Sequence, residues 1–164
     1  MFPTAQKTAR DLYRERENIS LPRTISDAVS YFSSPLNCLR LVSDRRWPEG
    51  VIHCPVCGRT DLRILATRNL WECKAKHAGA QFSVKIGTIF EDSHIPLRSW
   101  LIAIWMLANS PRRISSYQLA RELGITQKSA WFMLHRIGAA LQLRGIELPS
   151  LASGFRGETR PKSQ

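Results

Sequence analysis

A chain of 164 residues with 43% hydrophobic content has room for one ordinary domain or two or three very small ones, and enough apolar material for compact cores. Its 24 Lys and Arg face 13 Asp and Glu, a formal charge of +11 with a pI near 10.3. That balance disfavours a basic partner and favours a polyanion, because each neutralised phosphate releases condensed counterions; nucleic acid comes first, with a ribosome or a membrane surface behind it.

The start, Met1-Phe2-Pro3-Thr4, has no basic cap followed by an apolar core, so it does not read as a secretory signal. Residues 1–24 alternate charges with few large apolar groups and read as a basic, partly disordered arm, with a short helix around Ala5 to Glu17. Residues 25–48 read as a short helical segment. Ser26 and Asp27 can cap a helix holding Ala28, Val29, Tyr31 and Phe32, and Pro35 suits the first turn of a second helix through Leu36, Leu39, Leu41 and Val42. Trp47-Pro48-Glu49-Gly50 stops it.

Residues 49–93 carry β-rich runs at Leu62 to Leu65, Leu70 to Cys73 and Gln81 to Phe90, separated by Gly58, Asn69 and Gly79, which predicts a small antiparallel sheet. Residues 94–143 return to helical spacing. Trp100, Leu101, Ile104, Trp105 and Ala108 fall on one face of a helix over 97–109, and two more helices follow at Ser116 to Leu123 and Gln127 to about Leu143. The longest apolar run, Trp100 to Ala108, is too short to cross a bilayer, so no membrane partner is expected. Residues 144–164, rich in Ser, Gly, Pro and charge, read as a disordered tail. The fold class predicted is α+β in small modules: N-terminal helices, a metal-stabilised ribbon, then a three-helix helix-turn-helix domain.

Cysteine usage carries the first chemical signal. A cytoplasmic location keeps thiols reduced, and four cysteines there suggest metal rather than disulfides. Cys54-Pro55-Val56-Cys57-Gly58 is a knuckle: two thiolates three apart on a tight turn converge on one ion, and the glycine lets the chain fold back beneath them. Fifteen residues then intervene before Cys73, and His77 follows it in a C-x3-H pair. This spacing suits a closed, structural zinc ribbon, the metal supplying stability that so short a segment cannot draw from burial alone. C-x2-C is the commoner second half, which leaves His53 and His94 as substitutes for His77. Cys38, among Leu36, Leu39 and Leu41, reads as a buried apolar thiol.

The run Ser115 to Leu134 fits a helix, a glycine turn and a second helix. Ala120 permits close approach, Gly124 turns the chain, and Ile125, Ala130 and Met133 complete a small core. Thr126 caps the second helix, whose N-terminal end carries Gln127, Lys128 and Ser129 toward base edges or phosphates; Arg112, Arg113, His135 and Arg136 are placed to meet the backbone. In the ribbon, Arg59, Arg63 and Lys74 are the candidate DNA contacts. Charge concentrates accordingly, nine basic against four acidic side chains over 40–86 and six against one over 112–144. Trp131 and Phe132, aromatics at helical spacing, read as core.

In this order, Arg46-Trp47-Pro48-Glu49-Gly50, the Cys54 knuckle, Trp71-Glu72-Cys73, Gln81-Phe82-Ser83-Val84, Gly87 to Ser93 and Ile114 to Ile137 resemble the N-terminal half of a bacterial insertion-sequence transposase, over roughly residues 25–138. The resemblance implies zinc as structural cofactor, double-stranded DNA at terminal inverted repeats as partner, nucleoid association, and oligomers with intact transposase. It also implies a downstream RNase H-like domain with a magnesium-binding acidic triad. The likeness stops near Leu141, and the remaining residues do not resemble that domain's opening, so a truncated, non-catalytic chain without a magnesium site is expected. Glu91 and Asp92 then read as a helix-cap region, and Glu122 as a solvated helix face. A standalone zinc-ribbon and helix-turn-helix transcriptional regulator is the alternative.

Overall fold

Over residues 22–65 and 68–144, which the computed structural model describes, five helices accompany a three-stranded antiparallel sheet. The order is α1 (Ile25–Ser33), α2 (Pro35–Arg46), β1 (Leu62–Leu65), β2 (Leu70–Cys73), β3 (Gln81–Phe82), α3 (Leu97–Asn109), α4 (Ser116–Leu123) and α5 (Gln127–Gln142). The fold is α+β, as expected. The helix expected around Ala5 to Glu17 and the tail from Gly145 onward lie outside the described residues.

Helix α1 starts one step before the residues singled out from the sequence. Thr24 is the cap: its Oγ1 accepts from the Asp27 amide at 3.1 Å, while the Asp27 carboxylate accepts from the Thr24 amide at 3.2 Å, a reciprocal capping box. The helix buries Ala28 and Phe32 and leaves Val29 outward. Ser34 caps α2 with Pro35 in the first turn, and the helix ends where Trp47-Pro48 turns away. Cys38 is buried inside α2, its thiol donating to the Phe32 carbonyl at 3.2 Å, and burial pushes its pKa up, as befits an apolar thiol.

The sheet is a meander in the order β1-β2-β3. Register places Ile64 opposite Trp71 and Trp71 opposite Phe82, so one face is apolar; Arg63, Glu72 and Gln81 pair across the other. On the polar face the Glu72 carboxylate accepts from Arg63 and, at 2.9 Å, from Gln81. On the apolar face Trp71 stacks near Phe82, ring centres 6.0 Å apart, and meets the edge of Trp47 at 5.8 Å. The Trp47 that ends α2 thus ties the helices to the ribbon.

Strand β3 ends at Phe82, well short of the Gln81 to Phe90 run read from β-propensity. Gly87 has a φ of +72°, and the Thr88 hydroxyl turns back to the Lys85 carbonyl at 2.5 Å, so the chain coils into turns where the apolar alternation suggested pairing. Glu91 and Asp92 are no helix cap either. The Glu91 carboxylate accepts from the Gly87 amide at 3.1 Å inside this turn, and α3 begins at Leu97, with Pro96 at the cap position and no side-chain cap.

Helix α3 runs over the residues expected, but its buried face is rotated. Trp100, Leu101, Ile102, Ala103 and Leu107 are buried, Ile104 and Trp105 are half-buried, and Ala108 is exposed. Several partner surfaces explain the wide face: α1, α2 and α4 pack against it, and in the turns before α3 Phe90 meets Trp100 edge-on at 5.6 Å. The buried apolar residues of α1, α2, the ribbon, α3 and the α4–α5 pair form one continuous cluster. No helix among the described residues is long and apolar enough to cross a membrane.

Candidate metal centre and nucleic-acid interface

Two knuckles build the metal site. At the first, the Gly58 amide donates to the Cys54 carbonyl at 2.9 Å and the Cys54 amide to the Arg59 carbonyl at 2.8 Å; Gly58, at φ +73°, allows the fold-back. At the second, the Cys73 amide donates to the Ala80 carbonyl at 2.8 Å, closing the chain around His77. The ligand atoms of Cys54, Cys57, Cys73 and His77 all lie within 4.8 Å of one another. Cys54 Sγ is 3.5 Å from His77 Nε2, and Cys57 Sγ is 3.5 Å from Cys73 Sγ. Tetrahedral zinc with bonds of about 2.0 Å to nitrogen and 2.3 Å to sulfur sets neighbouring ligands about 3.5–3.8 Å apart, so the set fits a closed structural zinc site.

His77 completes the cluster as its fourth member. Its Nδ1 lies 2.8 Å from the Ala78 carbonyl, which fixes the proton on that nitrogen and turns the Nε2 lone pair toward the thiols, the orienting bond typical of a zinc histidine. His53, exposed, faces the Gly58 carbonyl at 3.4 Å, and His94 is exposed outside the cluster; neither substitutes. The electrostatics suit metal binding. Burial pushes the Cys54 thiol up, but the amides of Cys57 and Val56 and the thiols of Cys57 and Cys73 together outweigh it and bring it to about 6. Burial raises Cys73, reinforced by Cys57 and Cys54 against the Ala75 amide. The Ala78 carbonyl raises His77. One thiol that deprotonates easily gives an incoming cation its first anchor.

The helix-turn-helix is built as its residues dictate. Ser115 caps α4, Gly124 ends it at φ +64°, and the Ile125 amide donates to the Ala120 carbonyl at 3.1 Å. Thr126 then caps α5, accepting from the Ser129 amide at 3.1 Å. Leu119, Ala120, Ala130 and Met133 are buried between the helices and Ile125 is half-buried.

The sequence candidates fall into different situations. Lys128 is exposed at the start of α5, and Arg112 and Arg113 are exposed in the loop before α4. Gln127 is half-buried and donates to Ser116 Oγ at 2.8 Å, while the Ser129 hydroxyl accepts from Thr126 at 2.9 Å. His135 is half-buried with its ring 3.8 Å from that of Trp131. In the ribbon, Arg59 is exposed, Arg63 pairs with Glu72, and Lys74 pairs with Asp61 at 2.6 Å. These pairs are solvent-exposed and hold the cations only weakly.

Arg136 is placed differently from the backbone contact read in the sequence. Its guanidinium turns inward and donates to the carbonyls of Ile89 at 2.9 Å and Glu91 at 2.5 Å. Arg46, which the sequence reading noted only as the start of the Arg46-Trp47-Pro48-Glu49-Gly50 motif, makes the equivalent bonds to Val84 and Ile86. Trp131 and Phe132 are not core: Phe132 is 41% exposed, with Arg136 over its ring at 4.9 Å, and Trp131 is half-buried.

Comparison with known proteins converges on the same segment. Residues 36–77, from α2 through the Cys54 knuckle to His77, match the transposase zinc-ribbon domain family. A curated relative, the "uncharacterized protein in transposable element ISH50" of Halobacterium salinarum, is 27% identical over 122 residues, 74% of this chain and 39% of its own length. The chain therefore spans well under half of that relative. No solved structure matches. The ribbon's match, its Cys3His cluster and the mobile-element relative together relate this chain to insertion-sequence transposases.

Proposed function

We propose that this chain recognises the terminal inverted repeats of an insertion sequence as the DNA-binding part of a transposase, and performs no strand chemistry with the described residues. The observation that carries this reading is the outward N-terminal end of α5. Thr126 caps it, Lys128 is exposed on its first turn, and Arg112 and Arg113 are exposed on the loop before its partner helix. A helix N-terminus with a cation beside it and two arginines nearby suits a major groove flanked by phosphates. The rigid, closed zinc ribbon shares the helices' core and offers Arg59 as a second basic point.

The test is selection from random DNA duplexes by the zinc-loaded chain at fixed salt. One enriched sequence, bound with a steep salt dependence and lost on chelation, is the expected result. Binding without sequence preference, or none, would overturn the reading, and magnesium-dependent nicking would overturn the assignment without chemistry. Enriched sequences at inverted repeats flanking the gene support the transposase reading; a promoter site would favour a regulator.

A further inference from the structure

Between Val84 and Glu91 the backbone leaves the sheet, and carbonyls without ladder partners need other donors. Two arginines from distant parts of the chain supply them. Arg46, at the end of α2, donates to Val84 at 3.0 Å and also to Ile86; Arg136, from α5, donates to Ile89 and Glu91. The turn between is itself well held. The Glu91 carboxylate accepts from the Gly87 amide, and Phe90 is buried against Trp100. Arg136 is closed from outside by the Phe132 ring one turn earlier on α5. Both carbonyl bonds run through Nη1, so that nitrogen is committed to the turn and not to a phosphate.

We infer that Arg136 is a positioning residue that locks the second helix of the helix-turn-helix to the Gly87–Glu91 turn, so that ribbon and helix meet one duplex at a single spacing. The spacing rests on the DNA-binding reading above; the lock does not. Two modules on a stiff connection gain affinity only where the DNA presents both contacts at the matching separation, and a loose connection tolerates others at lower peak affinity.

The experiment compares the zinc-loaded full chain with Arg136→Lys and Arg136→Gln. Lysine keeps the charge but loses the planar group that lies over Phe132, and it serves alone should the glutamine variant not fold. Residual dipolar couplings of backbone amides read the lock directly. One alignment tensor should fit the ribbon and α4–α5 in the parent, and the variants should fit a single tensor measurably worse. Two tensors in the parent, or variants that fit as well as the parent, would overturn the lock.

Binding to the parent's selected duplex, with and without about five base pairs inserted between the two contacted segments, reads the spacing. The parent should lose about a hundredfold on insertion and the variants about threefold. Equal losses for parent and variants would overturn it. So would Arg136→Lys matching the parent while Arg136→Gln weakens both duplexes evenly and lowers the salt slope by about one, the pattern of a phosphate contact. Should the parent select no duplex, the DNA reading fails and the couplings alone decide the lock.

Discussion

Removing the His77 imidazole tests the metal centre at the ligand whose identity the sequence left open. Structural zinc contributes an apparent 10 kcal/mol or more in small zinc modules, so one ligand of four carries about 2.5 kcal/mol at the lower end. At about 1.4 kcal/mol per decade, His77→Ala should weaken zinc by about sixtyfold. His77 Nε2 lies 3.5 Å from Cys54 Sγ, with Nδ1 held by the Ala78 carbonyl, so the parent spends little free energy ordering this ring before the metal arrives. Competition with a chromophoric chelator at constant pH measures the affinity, and cobalt substitution reports whether the coordination remains tetrahedral. His53→Ala and His94→Ala should leave both unchanged. An unaltered affinity in His77→Ala, with loss in His53→Ala or His94→Ala, would refute the assignment and the geometric argument behind it.

Three further outcomes follow from the packing. Phe132→Ala should cost no more than about 1 kcal/mol in a denaturant melt, because the ring is 41% exposed, whereas Trp100→Ala, fully buried, should cost about 3–5 kcal/mol. Gly124→Ala places a Cβ in open space at φ +64°, so its cost should be conformational alone, about 1–2 kcal/mol in the same melt. Lys128→Ala, at an exposed position, should leave the melt unchanged and lower the slope of log affinity against log salt by about one in a titration series.

The helices were readable because their signals are local. Pro35, Gly124 and Thr126 mark ends by backbone chemistry confined to a few residues, and the structure ends or starts helices beside each of them. The metal site was readable for a related reason: ligand spacing on tight turns survives in one dimension. The run from Gln81 to Phe90 was not. Its apolar alternation resembles a strand, yet whether its carbonyls meet a neighbouring strand or a side chain depends on what lies across from them. Here that is Arg46 and Arg136, 38 and 47 residues away from Val84 and Ile89 in sequence. The buried face of α3 was misplaced for the same kind of reason, since periodicity finds one apolar stripe and cannot count the surfaces packed against it.

Arg136 and Phe132 show how far such non-local contacts reach into function. A basic residue on the second helix of a helix-turn-helix is a phosphate contact by composition, and an aromatic beside it is core by composition. Both inferences use residue type alone, and placement bears on the two together: Arg136 donates to two backbone carbonyls, and the Phe132 ring beside its guanidinium is on a residue 41% exposed. The count of cations in a basic stretch is therefore an upper bound on its phosphate contacts. Over 112–144, Arg136 is engaged with two backbone carbonyls, while Arg112, Arg113, Arg121, Lys128 and Arg144 are exposed. The salt slope of DNA binding should then reflect the exposed cations, and a slope large enough to require every basic residue in the stretch would mean that Arg136 leaves its carbonyls on binding.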